Sequence, residues 1–544
     1  MILLHLRDVN IKFCPVKSKI IILLFVSLLP GIFIQAQTDS VIARIIRIGK
    51  TDNQTMGHLD VLCNRFGGRP IGSDAFDNAA EWVAAKFRGW GIQVVMDEAG
   101  ELPVGFDRGP WFGRLLSDEG MDLHFATPSY TSGTKGVQRG HVVIEPRTQA
   151  EFDRMKGRLK GAWVLILGDN DGWPIDISAR ADSIRDSIKV VNAATEEANA
   201  KIKKENKENH DKGLSEKDLL PLNEEPAIFY KEMREAGILG IIQSSKVPIR
   251  VMYDRKNVNN MTFEKLPTVP DIKLDEHQYA IIKQMAVERR YFQLEFDIRN
   301  HFRQGPLPFY NVIGIIPGTE YPEEYVIMSG HLDSYDVATG GVDDGSGAAP
   351  TIEAARLIMK AGGKPKRTIL AILWAGEEFG LLGSQSWIER NSNVLDSISD
   401  MVNRDGGPTV PTGVTVSAAM MDDFKKICEP MNGINPDFPF KIDERQPTEK
   451  PVKAWGTDSG PFAVKGVPTV GLNCADTKGY DFSYQEIWHT ERDQYDKSIK
   501  EYEDQAAVET AVLVYGIAGL DHMLSREGYY IEKPIEQPKK KKDK

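Results

Sequence analysis

The chain has 544 residues, 41% of them hydrophobic and 27% charged, which speaks against a disordered or fibrous polypeptide and leaves room for a large buried core. Its formal charge of -11 offers no basic surface of the kind that nucleic-acid phosphates require, so no nucleic-acid partner is expected.

Lys17 and Lys19 precede an apolar run, Ile20 to Ile34, and the small residue Ala36 follows. That order is the order of a secretory leader, so residues 1–36 read as a signal peptide, with the mature chain starting near Gln37 in a secreted or periplasmic location. The run is short for a bilayer span and no later segment is long and apolar enough, so no stable membrane insertion is expected once it is removed. Losing Cys14 with the leader leaves Cys63, Cys428 and Cys474, enough for at most one disulfide. The other end, 527–544, is a basic tail carrying Lys539 to Lys542, read as a solvated end.

Between Asp60 and Glu98 the pattern predicts helix, loop, helix and strand. Ala79, Ala80, Val83, Ala84 and Phe87 make an amphipathic stripe that ends near Gly89, and Ile92 to Val95 follow as a strand. From 102 to 300 short strands dominate, predicted at His141–Ile144, Ala162–Leu167, Leu239–Gln243, Thr268–Ile272 and Phe292–Phe296. This stretch reads as a separate β-rich domain inserted into the first, with a polar, helix-prone excursion over 178–225. From Asn311 strands and helices alternate again, with strands at Val312–Ile316, Tyr325–Ser329, Thr368–Trp374, Ile398–Val402 and Thr469–Leu472. The expected fold class is therefore α/β: a mainly parallel mixed sheet with helices on both faces, discontinuous over 37–101 and 301–526.

Acids and histidines gather just beyond the carboxyl ends of these strands, the edge at which open α/β sheets bind ligands. His331 and Asp333 follow one strand, and Asp343 and Asp344 sit in a Gly-rich turn that opens a helix. Glu377 and Glu378 follow Thr368–Trp374, Asp405 follows Ile398–Val402, and His489 lies in a late loop. Each piece alone has an ordinary structural explanation, but the ordered set does not. Imidazole nitrogen and carboxylate oxygen are standard zinc donors, and three carboxylates with two imidazoles suit a metal pair sharing one carboxylate.

The segments His331-Leu332-Asp333, Asp343-Asp344-Gly345-Ser346-Gly347, Gly376-Glu377-Glu378-Phe379-Gly380, Asn403-Arg404-Asp405 and His489-Thr490-Glu491-Arg492-Asp493 resemble those of the co-catalytic zinc exopeptidases. That family includes bacterial leucyl aminopeptidase, aminopeptidase Y and carboxypeptidase Q. Phe66-Gly67-Gly68-Arg69-Pro70-Ile71-Gly72-Ser73 resembles it too, and 102–300 is similar to a protease-associated (PA) domain. The resemblance implies two zinc ions per chain. Asp343 would bridge them, His331 and Asp405 would complete one site, and Glu378 and His489 the other. Glu377 would be general base and acid, Asp333 would orient His331, and the Asp343–Asp344 peptide would be cis. Trp488 stands where some members carry an oxyanion-stabilising Tyr, so Tyr480 or Tyr484 would supply that role. The implied activity is hydrolysis of peptides by an exopeptidase, an aminopeptidase first, with dipeptidase or carboxypeptidase Q-type specificity or a glutaminyl-cyclase-like reaction as alternatives. A receptor or binding protein on the same scaffold is an alternative of another class. The inserted region, whose histidines His124, His141, His210 and His277 are scattered, is expected to shape access without supplying a metal ligand.

Overall fold

Strand Arg367–Trp374 shows how the sequence builds the molecule. Alternate side chains of a strand point to opposite faces, and here Ile369, Ala371 and Leu373 enter one buried cluster while Leu370, Ile372 and Trp374 enter another. Helices Asp74–Gly89, Gly345–Lys360 and Lys500–Ala518 pack on the first face, and Leu382–Arg390 and Ser459–Val464 on the second. A strand apolar on both faces must be covered on both, which is why its burial is unbroken.

The protein is described by a computed structural model over residues 40–118 and 120–531. The expected leader 1–36 and the Lys539 to Lys542 run lie outside the described residues. Five strands form the central sheet, in the order Gln93–Asp107, His301–Ile316, Arg367–Trp374, Tyr321–His331, Ile398–Asn403. The first two junctions are antiparallel and the last two parallel, so the sheet is mixed in equal parts where a mainly parallel one was expected. The antiparallel half comes from a long ribbon that pairs Gln93 with Ile315 and Asp107 with His301. The first strand of the ribbon runs past the expected border at 101, to Asp107, while the second begins at His301.

Thr469–Leu472 does not join this sheet. Pro468 has no N–H for a ladder; its carbonyl accepts from Met401, and the Val470 N–H turns to the Asp400 carboxylate. The strand forms later, Leu472–Ala475, in a small sheet with Val410–Val416 and Lys441–Glu444.

The intervening region carries its own eight-stranded sheet, with parallel pairs at its centre and antiparallel pairs outside them, and two apolar clusters of its own. The chain from Ser40 onward packs as one compact unit. The region's polar excursion is the 33-residue helix Ala179–Asp211, N-capped by Ser178. Asn192, Asn199 and Asn206 recur every seventh residue along it. Each amide both accepts from and donates to the backbone of the returning chain, at Asn223, Leu220 and Lys217. Two helical turns rise about 10.5 Å and three extended residues about 9–10 Å, so the two repeats stay in step. Among the described residues no helix is long and apolar enough to cross a membrane. None of Cys63, Cys428 and Cys474 is bridged.

Candidate metal centre

Parallel strands align their carboxyl ends, so the loops that follow emerge side by side. His331 ends its strand opposite Trp374, and Ser329 stands opposite Asn403. Asp405 and Glu378 therefore leave the sheet on either side of His331. Asp343 enters from the turn before helix Gly345–Lys360, and its peptide bond to Asp344 is cis. The tight turn needs its glycines: a Cβ at Gly347 would lie 2.4 Å from the Asp344 carboxylate, and one at Gly330 would lie 2.8 Å from it.

Two clusters result, His331 with Asp343 and Asp405, and Asp343 with Glu378 and His489. Asp343 belongs to both. Its Oδ1 lies 3.3 Å from His331 Nε2 and its Oδ2 lies 3.3 Å from His489 Nε2. His489 Nε2 is 3.0 Å from Glu378 Oε2, and His331 Nε2 is 4.0 Å from Asp405 Oδ1. In each cluster the donor atoms lie within 4.8 Å of one another. His331 Nε2, Asp343 Oδ2 and Glu378 Oε1 are buried and find no hydrogen-bond partner among the described residues. Buried polar atoms left this way are costly unless something else satisfies them. Imidazole nitrogens and carboxylate oxygens converging from opposite sides fit divalent cations.

The electrostatics carry the same imprint. Burial drives the Glu377 carboxyl well above its ordinary range, helped by Glu378 and Asp405 against the pull of His331. Burial likewise pushes Glu378 and Asp458 up to about 7, Asp493 up to about 8, and Asp405 upward. For the imidazoles burial works downward, but Asp333 and Asp343 hold His331 well above its usual value, and Glu378 and Asp343 raise His489 to about 9. Burial would also raise Asp343, yet the imidazoles on either side keep its carboxyl low. Acids and bases crowded out of water thus share protons, an arrangement that bound dications would replace by ionised carboxylates and neutral imidazoles.

The surrounding residues fix this geometry. The Asp333 carboxylate accepts from the N–H groups of Gly376 (2.9 Å), Glu377 (3.2 Å) and Glu378 (3.2 Å). Its oxygen is 3.7 Å from His331 Nδ1, whereas the Asp333 backbone carbonyl is 2.8 Å from that nitrogen. The side chain expected to orient the histidine therefore chiefly holds the Glu377-Glu378 turn, and its main chain orients the ring. Asp493 accepts from Val342 and Asp343 N–H groups. Arg69, wholly buried, donates to five carbonyls, those of Leu332, Leu62, Gly67, Thr339 and Gly340, and so ties the loops before and after Asp333 together.

The clusters open into a cavity of about 960 Å³ lined by Glu377, Tyr335, Tyr484, Trp488 and, from the intervening region, Trp173, Met252, Tyr253 and Arg255. Tyr484 reaches the cavity and packs on Gly407. Tyr480 does not: it is exposed, outside this lining, with its hydroxyl donating to Glu501 at 2.6 Å.

Residues 311–514 match the model of Peptidase family M28. Carboxypeptidase Q of Xenopus laevis is 26% identical over 433 residues, 76% of this chain and 81% of that protein. Carboxypeptidase Q of Mus musculus is 32% identical over 222 residues, 40% of this chain, and the match spans 43% of the mouse protein's length. Among solved structures, a Peptidase M28 precursor from Shewanella amazonensis superimposes with a TM-score of 0.54 at 19% identity, covering 89% of this chain and 97% of that one.

The chain is a metallopeptidase of the zinc-exopeptidase type.

The cavity and its surroundings also include residues that the motifs do not announce. Among the described residues, none of the four scattered histidines of the intervening region joins a cluster. His124 instead meets Asp275 and Glu491, the latter two residues after His489. Thr457, on the cavity wall, accepts from Asn403, and Asp458 follows it, buried against Ser384. Their segment carried a visible signal, the turn-rich Gly456-Thr457-Asp458-Ser459-Gly460. The 252–255 residues carried none, since Val251-Met252-Tyr253 reads as any half-buried strand.

Proposed function

We propose that this protein is a dizinc exopeptidase. The observation that carries the reading is the shared carboxylate: Asp343 presents one oxygen to each of two three-residue clusters beside Glu377 on one cavity. His331, Asp343 and Asp405 would hold one zinc, and Asp343, Glu378 and His489 the other. Bound there, the metal pair supplies Lewis acidity to a scissile carbonyl and eases deprotonation of a water.

Glu377 is the proposed general base and acid. Burial and the neighbouring acids raise the proton affinity of its carboxylate, which suits taking a proton from the attacking water and returning it to the departing amine. Asp333 keeps the Glu377-Glu378 turn in place through three N–H groups, each charge-assisted bond contributing roughly 1.5–3 kcal/mol. Tyr484 offers a hydroxyl on the cavity wall for the developing oxyanion. The expected PA-type insert, 102–300, less the stretch to Asp107 that belongs to the ribbon, is proposed to narrow the cavity, with Trp173 in its lining.

Acidic side chains on the cavity wall support recognition of a free α-ammonium, and thus an aminopeptidase. A second reading has its own observation. Arg255 is exposed on the cavity wall, with Nη1 donating to the Phe379 carbonyl at 2.7 Å in space that exists because residue 380 is glycine. Its guanidinium would supply a charged partner for a substrate carboxylate, as in a carboxypeptidase or dipeptidase, and the relatives named above are carboxypeptidases.

Zinc analysis with turnover of matched peptides tests both levels. Glu377→Gln should keep two zincs and lose roughly 10²–10⁴-fold in kcat. Loss of zinc would make Glu377 a ligand, and near-normal turnover would remove it from catalysis. Blocking the peptide N-terminus should abolish cleavage by an aminopeptidase, and amidating the C-terminus should abolish cleavage by a carboxypeptidase.

A further inference from the structure

The segment Ile249 to Arg255 belongs to the intervening region, yet it lies across the loops of one cluster. Val251 N–H donates to the His489 carbonyl at 3.3 Å, and Arg250 forms an isolated antiparallel bridge with Thr490. Ile249 exchanges backbone and side-chain bonds with Glu491, accepting from its N–H and donating to its carboxylate, both at 3.0 Å. The Arg250 guanidinium stands 4.9 Å over the Trp488 ring, which itself stacks on His489. On the other loop, the Tyr253 hydroxyl donates to the Glu378 carbonyl, and the Tyr253 ring stacks on Phe379 at 4.0 Å. Among the described residues no hydrogen bond runs from this segment to His331 or Asp405.

Two features make such support necessary. His489 has φ +58, the left-handed region that a residue with a Cβ rarely adopts, so its conformation must be held by what surrounds it. A metal-bound histidine ordinarily has its second nitrogen fixed by a carboxylate or carbonyl. Here His489 Nδ1 faces the Met252 sulfur at 3.3 Å, a weak acceptor. The ring is therefore held largely by packing and by the backbone contacts of Ile249 to Val251.

We propose that Ile249–Arg255 is a positioning strap for one metal position. It sets the His489 ring and the Glu378 carbonyl, and through them the affinity for the zinc bound by Asp343, Glu378 and His489. The His331 position binds independently of it. Met252 and Tyr253 are thus positioning residues supplied by a region distant in sequence from both ligands. The inference rests on the two-zinc reading above.

The test is zinc stoichiometry of the full chain against buffered free zinc, for wild type, Met252→Leu and Tyr253→Phe. Met252→Leu keeps the side-chain volume and removes the sulfur, and Tyr253→Phe keeps the ring and removes the donor. Both variants should keep one zinc at wild-type affinity, which also certifies the fold. The second zinc should bind about 10-fold or more weakly, the usual scale for a ligand-orienting partner, and excess zinc should restore kcat. Two zincs with unchanged affinities in both variants, or parallel weakening of both, would overturn the strap while leaving the two-zinc reading in place. Fewer than two zincs in the wild type would overturn that reading and the strap with it.

Discussion

His331 ends a strand and Asp405 closely follows the neighbouring parallel strand, whereas Glu378 and His489 stand in turns. The first pair inherits its geometry from the sheet: register places Ser329 beside Asn403, Arg404 N–H next to Asp405 donates to the Ser329 carbonyl, and the loop leaving His331 is braced by Arg69 and by the Asp333 main chain. In the second pair Glu378 lies farther beyond its strand, in the turn after Trp374, and His489 follows no strand of the central sheet. Glu378 depends on Asp333 and Tyr253, and His489 depends on the 249–252 backbone and a thioether. Ligands on a sheet edge are positioned by the fold itself, and ligands on turns borrow rigidity from whatever packs over them. The proposed metal positions should therefore differ in affinity even though their donor sets are the same in kind.

Removing one histidine from each half gives the largest test of that contrast. His489→Ala should retain one tightly bound zinc, because the strand-built half is intact. His331→Ala should leave only the turn-built half, with its remaining zinc bound at least about 10-fold more weakly than the one kept by His489→Ala. Isothermal titration of zinc into the two apoproteins compares them directly, and the reverse order would break the distinction.

A smaller effect follows from Asp333, whose carboxylate serves both Glu377 and Glu378. Asp333→Asn replaces one acceptor oxygen by a donor facing N–H groups, so the turn should loosen. Turnover should fall by roughly 10–100-fold with the His331 zinc retained, as for other partners that orient ligands. Loss of the His331 zinc first would mean that the carboxylate acts mainly on the imidazole, as the motif had implied.

The smallest effect separates the strap from the rest of its region. Asn199→Ala removes two exposed hydrogen bonds between helix Ala179–Asp211 and Leu220, worth about 1 kcal/mol together after exchange with water. Hydrogen exchange should quicken along that helix and its returning chain, with zinc content and kcat unchanged. A change in zinc content would show that the whole region, not 249–255 alone, sets the metal position.

The sequence made the strand-end acids and histidines legible because each is local: a strand, then a ligand within a few residues. The same locality limited it. Asp333 and His331 are two residues apart, which pointed to the ring, while the carboxylate's real partners are 43–45 residues away. Tyr480 and Tyr484 looked equivalent, but only Tyr484 faces the cavity. The sheet's antiparallel half was hidden because strand direction depends on how Gln93–Asp107 and His301–Ile316 pair across the intervening region. The asparagines at 192, 199 and 206 passed as part of a polar helix, which gives no sign of what its amides will grip. Met252 and Tyr253 meet their partners across 125 to 237 residues, a separation that no local pattern encodes.

Crystals grown with zinc and measured across the zinc absorption edge test the shared carboxylate most directly. The account predicts two anomalous peaks about 3.5–4 Å apart, one on each side of Asp343, with His331 and Asp405 at one and Glu378 and His489 at the other. A single peak, or two that do not share Asp343, would contradict it.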